Sequence, residues 1–253
     1  MKNQTGKYFK YAIGEIVLVV IGILIALQIN NWNESRKEQN KERNYLTNLQ
    51  RDLKNQIKSI DIQTAYETEF TESAAYIIQH YKNHNALDDL DRLFFEKLTN
   101  INSRKTFLIT DPTFTDLLSS GNIDLIKNKS FKDQLIQYYQ ELERIEKVIQ
   151  NNNTLLVDNH FGTTFLNSGY FYNNTNAILP STGSENSIAL MPIYHDELAK
   201  ISSELLNNSE KTLQLMNVVN LRHTVSLAAL GIMENSKKNT LKIIEELNRI
   251  LNE

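Results

Sequence analysis

The sequence predicts an all-α protein: an N-terminal transmembrane helix that continues into a long stalk helix, followed by an extramembrane helical bundle with one irregular segment. Three observations lead to this prediction. Only eight glycines and three prolines interrupt the 253 residues, and such a scarcity of helix breakers is typical of helical proteins. One uninterrupted apolar run lies near the N-terminus. Much of the remaining chain repeats apolar residues at spacings of three and four, which is the period of an amphipathic helix.

The apolar run follows a short N-terminal tail, residues 1–10, and occupies residues 11–33. From Ala12 to Leu27 every residue is apolar or glycine except Glu15. A helix of about 20 apolar residues spans the hydrocarbon core of a bilayer, and Tyr11 and Trp32 suit the headgroup layers at its ends. The sequence therefore predicts a single-pass protein whose first partner is the lipid bilayer.

A cleaved signal peptide is the alternative interpretation of this run. Lys2, Lys7 and Lys10 form a basic N-terminal region. The apolar core, however, is longer than the about 7–15 residues of a signal peptide, and no A-x-A-like cleavage site follows it. We therefore expect an uncleaved signal-anchor.

The orientation of the run in the membrane is a separate question. Lys and Arg flank both ends of the run and give no clear orientation. Because long downstream domains translocate largely regardless of charge, we expect a cytoplasmic N-terminus with the bulk of the chain outside the cytoplasm.

Glu15 gives the predicted membrane helix two different sides. At 100° per residue, six residues fall within about 60° of one direction: Glu15, Val19, Gly22, Ala26, Asn30 and Asn33. Gly22 and Ala26 form a small-xxx-small pair, which allows helices to approach closely in lipid. Three interpretations stay open: Glu15 reaches the headgroups or nearby lysines, the stripe is an association face for a second copy or a partner helix, or it belongs to a proton or ion pathway. The predicted association face consists of Glu15, Gly22, Ala26 and Asn30.

Residues 34–45 form a charged run without aliphatic residues, which predicts a solvated helical stalk. The predicted bundle domain follows at residues 46–253. Its first apolar positions continue the helical period, so residues 34–83 are predicted to form one long helix; the positions are Leu46, Leu49, Leu53, Ile57, Ile60, Phe70, Ala74, Ile77 and Tyr81. A second, shorter helix is predicted over residues 86–101.

Capping signals mark the next two predicted helices. Asp111 and Pro112 are typical of an N-cap followed by proline at the first helical position, and Gly121 is typical of a helix end. Ser130 and Asp133 resemble a capping box with aspartate in place of glutamate. Behind them an unbroken heptad pattern follows, for which we favour packing within the bundle over pairing between chains: Phe131, Leu135, Tyr138, Leu142, Ile145 and Ile149.

Residues 158–192 differ from the rest, because they are rich in glycine, proline, asparagine, serine and aromatic residues. A long irregular segment inside a domain is often functional. Two interpretations stay open for its aromatic residues, which either anchor the segment to the bundle or line a ligand or partner surface: Phe161, Phe165, Tyr170, Phe171 and Tyr172.

Residues 194–252 return to helical spacing. The predicted faces are Leu198, Ile201 and Leu205; Met216, Val219, Leu227 and Leu230; and Leu241, Ile244, Leu247 and Leu251. Charged neighbours of Leu227, among them Arg222 and Glu234, argue against a second membrane span.

Two segments resemble a known family. KYAIGEIVLVVIGILIALQINNWNESRK and FTDLLSSGNIDLIKNKSFKDQLIQYY are similar to the opening and the middle of an uncharacterised family of single-span membrane proteins from Gram-negative bacteria. The resemblance covers about a fifth of the chain; no match is recognised from about Gln150 onwards. The resemblance implies an N-terminal anchor and a helical extramembrane domain, and it assigns no catalytic residues. With the orientation given above, we expect the anchor in the bacterial inner membrane and the helical domain in the periplasm.

The chain offers little to catalysis or cofactor binding. His80 and His84 lie one helical turn apart with Asp88 and Asp89 nearby, but surface histidines explain this spacing better than a metal site. No nucleophile elbow, P-loop or dinucleotide fingerprint occurs, so we expect neither an enzyme, nor a cofactor, nor a bound metal. The net charge of −3 and the pI near 6.0 lack the basic character of nucleic-acid binding.

Two function classes remain. The first is a membrane-anchored structural or interaction protein that associates with itself or with a membrane-protein partner. The second is a sensor-like extracytoplasmic ligand-binding domain that signals through a partner.

Overall fold

The computed structural model describes residues 5–172 and 194–252, and this part of the chain contains helices and no strands. The predicted all-α fold is confirmed. Residues 1–4 of the predicted tail and 173–192 of the predicted irregular segment lie outside the described residues. The elements are α1 (Thr5–His84), α2 (Arg92–Ile101), α3 (Pro112–Ser119), a 3-10 turn (Asn122–Leu125), α4 (Lys129–Asn151), a π-helical segment (Asn152–Phe161), α5 (Gly162–Leu166), α6 (Asp196–Leu206) and α7 (Ser209–Asn252).

Helix α1 is a single helix of 80 residues, about 120 Å long at 1.5 Å per residue. It holds no proline, and no glycine after Gly22, so nothing in its sequence breaks it. The predicted continuity of apolar run, stalk and first bundle helix is confirmed. Its side chains are exposed from residue 13 to residue 41, and Leu46 is the first buried one. We call residues 13–29 the apolar segment, and the ends of the bundle nearest to and farthest from it the near end and the far end.

Helices α1 and α7 pack antiparallel along a heptad seam. Gln50 donates to Asn248 at 2.5 Å, and Lys237 pairs with Asp61 at 2.7 Å, which fixes the direction. Buried positions alternate in steps of three and four on both helices, as in a coiled coil. On α1 they are Leu46, Leu49, Leu53, Gln56, Ile60, Gln63, Glu67, Phe70, Ala74 and Ile77; on α7 they are Leu215, Val219, Arg222, Ser226, Ala229, Met233, Ser236, Thr240, Ile243 and Leu247.

The remaining helices complete two hydrophobic clusters along this seam. In the near cluster α4 joins α1 residues 46–60 and α7 residues 229–247, and all six predicted heptad residues of α4 are buried. Their predicted packing inside the bundle is therefore observed. In the far cluster α2, α5 and α6 surround α1 residues 74–77 and α7 residues 215–219.

Three predicted boundaries were wrong. Helix α2 begins at Arg92 instead of residue 86, because Asp91 caps it by accepting from the Phe94 N–H at 2.8 Å. Helix α4 begins at Lys129, where Asn128 accepts from the Phe131 N–H at 3.0 Å, so Ser130 and Asp133 do not form a capping box at its start. The irregular segment does not begin at residue 158, because the π-helical segment and α5 continue the helix to Leu166.

Helix α3 confirms proline at its first position and a left-handed Gly121 (φ 69°) after its end. Its cap differs from the prediction. The Asp111 side chain accepts from the Thr115 hydroxyl, whereas the Thr113 N–H and hydroxyl donate to Asp52 of α1 at 3.1 and 2.5 Å. A buried carboxylate of the long helix thus holds the N-terminus of α3, and complements its dipole.

Some predicted helix faces were also wrong. Leu198, Ile201 and Leu205 of α6 are exposed, as are Leu227 and Leu241 of α7. Small residues turn inward instead, because they let α6 approach its neighbours closely: Ala199 and Ser202 are buried with Leu206. On α1 the core position is Gln56 rather than Ile57. Met216, Val219 and Leu247 are buried as predicted.

Candidate functional site

The apolar segment is uncovered on every side. Its aliphatic side chains are 46–71% exposed in residues 13–29, and α1 is long and apolar enough there to cross a membrane. A Cβ added at Gly14 or Gly22 meets no described atom within 4 Å. Uncovered aliphatic surface of this extent is unfavourable in water, so this surface needs a lipid or protein environment.

Glu15, Gly22, Ala26 and Asn30 lie along one side of this uncovered helix. Their spacings of seven, four and four residues bring them into one stripe, which extends about 22 Å along the axis. All four are exposed. The structure therefore brings the predicted association face together, and no described part of the bundle folds back onto it.

Polar contacts join the bundle to the charged stalk close to the apolar segment. The Lys127 N–H donates to Glu42 at 2.7 Å, and its ammonium pairs with Glu38 at 3.0 Å. Lys41 donates to the Asn122 side chain at 2.9 Å. These contacts join the loop before α4 to α1, so the stalk is exposed but held at the near end of the bundle.

The five aromatic residues proposed as a ligand or partner surface lie mostly in the far cluster. Phe161, Phe165 and Tyr172 are buried, whereas Phe171 is 47% exposed. The Tyr170 ring meets Phe95 edge-on, with 5.5 Å between ring centroids. The Tyr172 backbone N–H donates to the Thr99 hydroxyl at 3.1 Å, and Arg92 lies over its ring, 4.9 Å from the centroid. These contacts favour the interpretation of the aromatic residues as anchors.

A polar layer interrupts the heptad seam between the two hydrophobic clusters. It consists of Gln63 and Glu67 of α1 and Arg222 and Ser226 of α7, all buried. Gln63 donates to Glu67 at 2.9 Å, and Arg222 donates to the Ser103 carbonyl at 3.0 Å. The Arg222 guanidinium also lies 4.3 Å from the centroid of the Phe70 ring, a favourable cation–π arrangement.

Burial shifts both charged groups of the polar layer toward neutrality. It raises the pKa of Glu67, and the positive charge of Arg222 opposes this shift only in part. It likewise lowers the pKa of Arg222, against the opposing influence of Glu67. Interactions with Ser226 and Gln63 also lower the pKa of Glu67, whereas Gln63 Oε1 and Arg222 Nε make no hydrogen bond to the described chain. Such a layer favours one helix register over others at a cost in stability.

Sequence reasoning missed the polar layer because it followed apolar residues alone. The heptad spacing itself continues through Gln63, Glu67, Arg222 and Ser226 without a gap. Following that spacing through polar residues would have found them.

An open cavity of about 460 Å³ lies at the far end, between the turn after α1 and helix α6. Carboxylates line it from both sides, Asp88 and Asp89 from the turn and Asp196 and Glu204 from α6, together with Lys200 and the Tyr194 ring. Asp89 has a positive φ of 50°, which aspartate tolerates better than most residues. The excess of negative charge favours positively charged groups here.

His80 and His84 lie one helical turn apart at the C-terminal end of α1. Their rings are tilted by 33° with centroids 4.4 Å apart, and His84 Nδ1 contacts the His80 carbonyl at 2.9 Å. Asp88 and Asp89 lie beyond the end of α1, outside the helical face of the histidines. Among the described residues no group of three His, Asp or Glu side chains is placed to hold a metal ion.

Comparison with known proteins gives a family. A family profile described as "Family of unknown function (DUF6090)" matches residues 15–189. The chain belongs to this family. The DUF6090 match begins inside the apolar segment and ends before α6. It extends beyond residue 150, where the resemblance found in the sequence ended. No curated protein matches the chain, and no solved structure does either.

Proposed function

We propose that this DUF6090 protein is a membrane-anchored interaction protein without enzymatic activity. Its apolar segment spans the bacterial inner membrane, with the N-terminus in the cytoplasm and the bundle in the periplasm. One observation carries the proposal: an apolar helix uncovered on every side continues without a break into the packed bundle. A spanning helix of this length satisfies its own backbone hydrogen bonds, as the bilayer core requires.

The stripe of Glu15, Gly22, Ala26 and Asn30 supports association within the membrane. A pure anchor needs only apolar residues. A carboxyl group and an amide on the same side as two small residues favour contact with another helix, because small residues permit close approach and polar groups then find partners. A second copy of the chain or a different membrane protein would supply that helix.

The two glycines of the apolar segment provide a matched test of the stripe. Gly22 lies on the stripe and Gly14 lies about 100° away from it, while neither has a described atom near its added Cβ. The full chain is cross-linked in native membranes and compared with Gly22→Leu and Gly14→Leu. We expect Gly22→Leu to lose discrete cross-linked species and Gly14→Leu to retain them.

The masses of the cross-linked species identify the partner. Multiples of the chain's mass indicate self-association, and any other discrete mass indicates a different protein. Equal yields of cross-linked species from both variants would contradict the proposed association face. The same holds if the unaltered chain gives only monomers.

The far-end cavity favours a second candidate, a sensor-like ligand-binding protein. Helix α1 connects this end of the bundle to the proposed span, so binding there is coupled mechanically to the membrane. The test is thermal unfolding of the full chain in detergent with putrescine as the cationic probe. A rise in Tm that Asp196→Asn abolishes favours the sensor, and an unchanged Tm for both chains argues against a cationic ligand.

A further inference from the structure

The near end of the bundle carries a basic surface beside the exit of α1 from the apolar segment. Residues 34–43 and 124–132 together hold seven Lys and Arg against four Asp and Glu, whereas the whole chain holds 27 against 30. The net charge of these two segments is therefore opposite in sign to that of the chain, which makes the surface they form basic. We call it the basal surface; its members are Arg36, Lys41, Lys127, Lys129 and Lys132.

The contacts with α1 fix the height of this surface. Lys127 is held between Glu38 and Glu42, which lie six and ten residues beyond Trp32, or about 9 and 15 Å along the helix. If Trp32 lies in the headgroup layer, which is about 5–8 Å thick on each side, Lys127 stands within roughly one Debye length, about 8–10 Å, of the membrane surface.

The basic groups of this surface are available to another anion. Lys127 and Glu38 are both more than half exposed, at 57% and 52% of their side chains, and such exposed pairs contribute little to stability. Lys129 is exposed at the start of α4. The Lys132 side chain is only 22% exposed, and it reaches the 84% exposed side chain of Asp124 at 2.9 Å. A denser array of negative charge can therefore compete for these lysines.

We propose that the basal surface binds anionic lipid headgroups and so holds the bundle against the bilayer. This inference rests on the proposed membrane span. Each Lys or Arg near an anionic membrane surface favours the bound arrangement by about fivefold, so three lysines shift the population strongly at low salt. A tilt of α1 of about 20°, common for membrane helices, lowers one side of the near end toward the headgroups.

Lysine reactivity in nanodiscs tests the contact. The full chain is placed, one copy per disc, in discs of phosphatidylcholine alone or of phosphatidylcholine with phosphatidylglycerol, and acetylation of each lysine is followed by mass spectrometry. We expect Lys127 and Lys129 to react several-fold more slowly in the anionic discs, and salt to abolish the difference. Lys58, about 39 Å beyond Trp32 along α1, is the internal control.

A charge-matched pair of variants completes the test. Since the chain has no cysteine, Gln137→Cys provides one dye position on α4, and energy transfer to a headgroup acceptor reports its distance from the bilayer. Lys127→Gln/Lys129→Gln/Lys132→Gln should reduce transfer in anionic discs to its level in neutral discs. Lys54→Gln/Lys58→Gln/Lys242→Gln, with the same change in charge, should not.

The experiments distinguish failure of the proposed membrane span from failure of lipid binding by the basal surface. A chain that does not enter discs of either composition refutes the span itself. A chain that enters both, with equal lysine reactivity and equal energy transfer at low salt, refutes only lipid binding by the basal surface.

Discussion

Arg222 contacts several groups in the middle of the bundle. Its guanidinium compensates the buried charge of Glu67, donates to the Ser103 carbonyl and covers the Phe70 ring. Truncating one member of a buried charged group leaves the other uncompensated, which typically costs 3–5 kcal/mol. The near and far clusters meet at this residue, so the loss is expected to affect the whole seam.

We predict that Arg222→Met lowers the free energy of unfolding by about 3 kcal/mol, measured by urea denaturation of the full chain in detergent. Arg144→Met removes an exposed pair with Glu141 and should change stability by less than about 0.5 kcal/mol. Equal losses in both variants would show that the polar layer has no special role.

The same variant should acquire a steeper pH dependence. Burial raises the folded-state pKa of Glu67 above its ordinary 4.5, and Arg222 lowers it, so removing Arg222 raises it further. Between the two pKa values the folded state binds more protons than the unfolded state, and stability therefore falls as pH rises. We expect Arg222→Met to lose stability from pH 4.5 upward more steeply than the unaltered chain, and Glu67→Gln/Arg222→Met to lose this slope.

His80 should make the far end sensitive to acid. Burial, and then the neighbouring His84, lower the pKa of His80 from 6.5, with Asp91 and Asp88 opposing them. As pH falls below 6.5 the unfolded chain takes up a proton more readily than the folded chain, so stability is lost. His80→Phe should reduce the fall in Tm between pH of about 7.5 and 5.5. The exposed His160 is the control, and His160→Phe should leave the fall unchanged.

Among the elements, α4 shows how capping decides where a helix begins. Both Asn128 and Ser130 are good N-cap residues. The N-cap of α4 is Asn128, whose side chain accepts from the Phe131 N–H. We predict that Asn128→Ala destabilises the chain by about 1 kcal/mol, as measured by the shift in denaturation midpoint. Ser130→Ala, inside the first turn, should be nearly neutral; the reverse order of effects would restore the capping box.

The long elements were predictable from the sequence, and the inward faces of several were not. Helix α1 follows from its lack of breakers, and the core of α4 from six apolar residues in heptad spacing. On α6 the most apolar face, Leu198, Ile201 and Leu205, stays exposed. The face of a helix that becomes buried depends on the neighbouring helices, which the sequence of that helix alone does not specify. In α6 the small side chains of Ala199 and Ser202 allow close approach, and their face is the buried one.

The candidate site was predictable where it is local and unpredictable where it joins distant segments. Glu15, Gly22, Ala26 and Asn30 share a side because of helical geometry alone. The polar layer and the far-end cavity each require segments more than 100 residues apart, such as Glu67 with Arg222 and Asp88 with Asp196. Their pairing follows from the antiparallel arrangement of α1 and α7 and from the docking of α6.

At the scale of the whole molecule, the polar layer separates a near cluster and a far cluster that differ in the lengths of their helices. Long helices build the near cluster, whereas α2, α5 and α6, of 10, 5 and 11 residues, complete the far cluster. Short helices depend on tertiary contacts and open locally at lower free energy. We expect amides of α2 and α6 to exchange with deuterium before those of α4. Earlier exchange in α4 would contradict this order.

The unbroken course of α1 has a mechanical consequence. From Trp32 to His84 the helix rises about 78 Å, and α7 stiffens most of that length by packing along it. A tilt of ten degrees at the bilayer therefore swings the far end sideways by about 14 Å, while the bundle itself keeps its shape. In the proposed arrangement, with the apolar segment in the membrane, a small tilt of that segment would therefore become a large displacement of the far end.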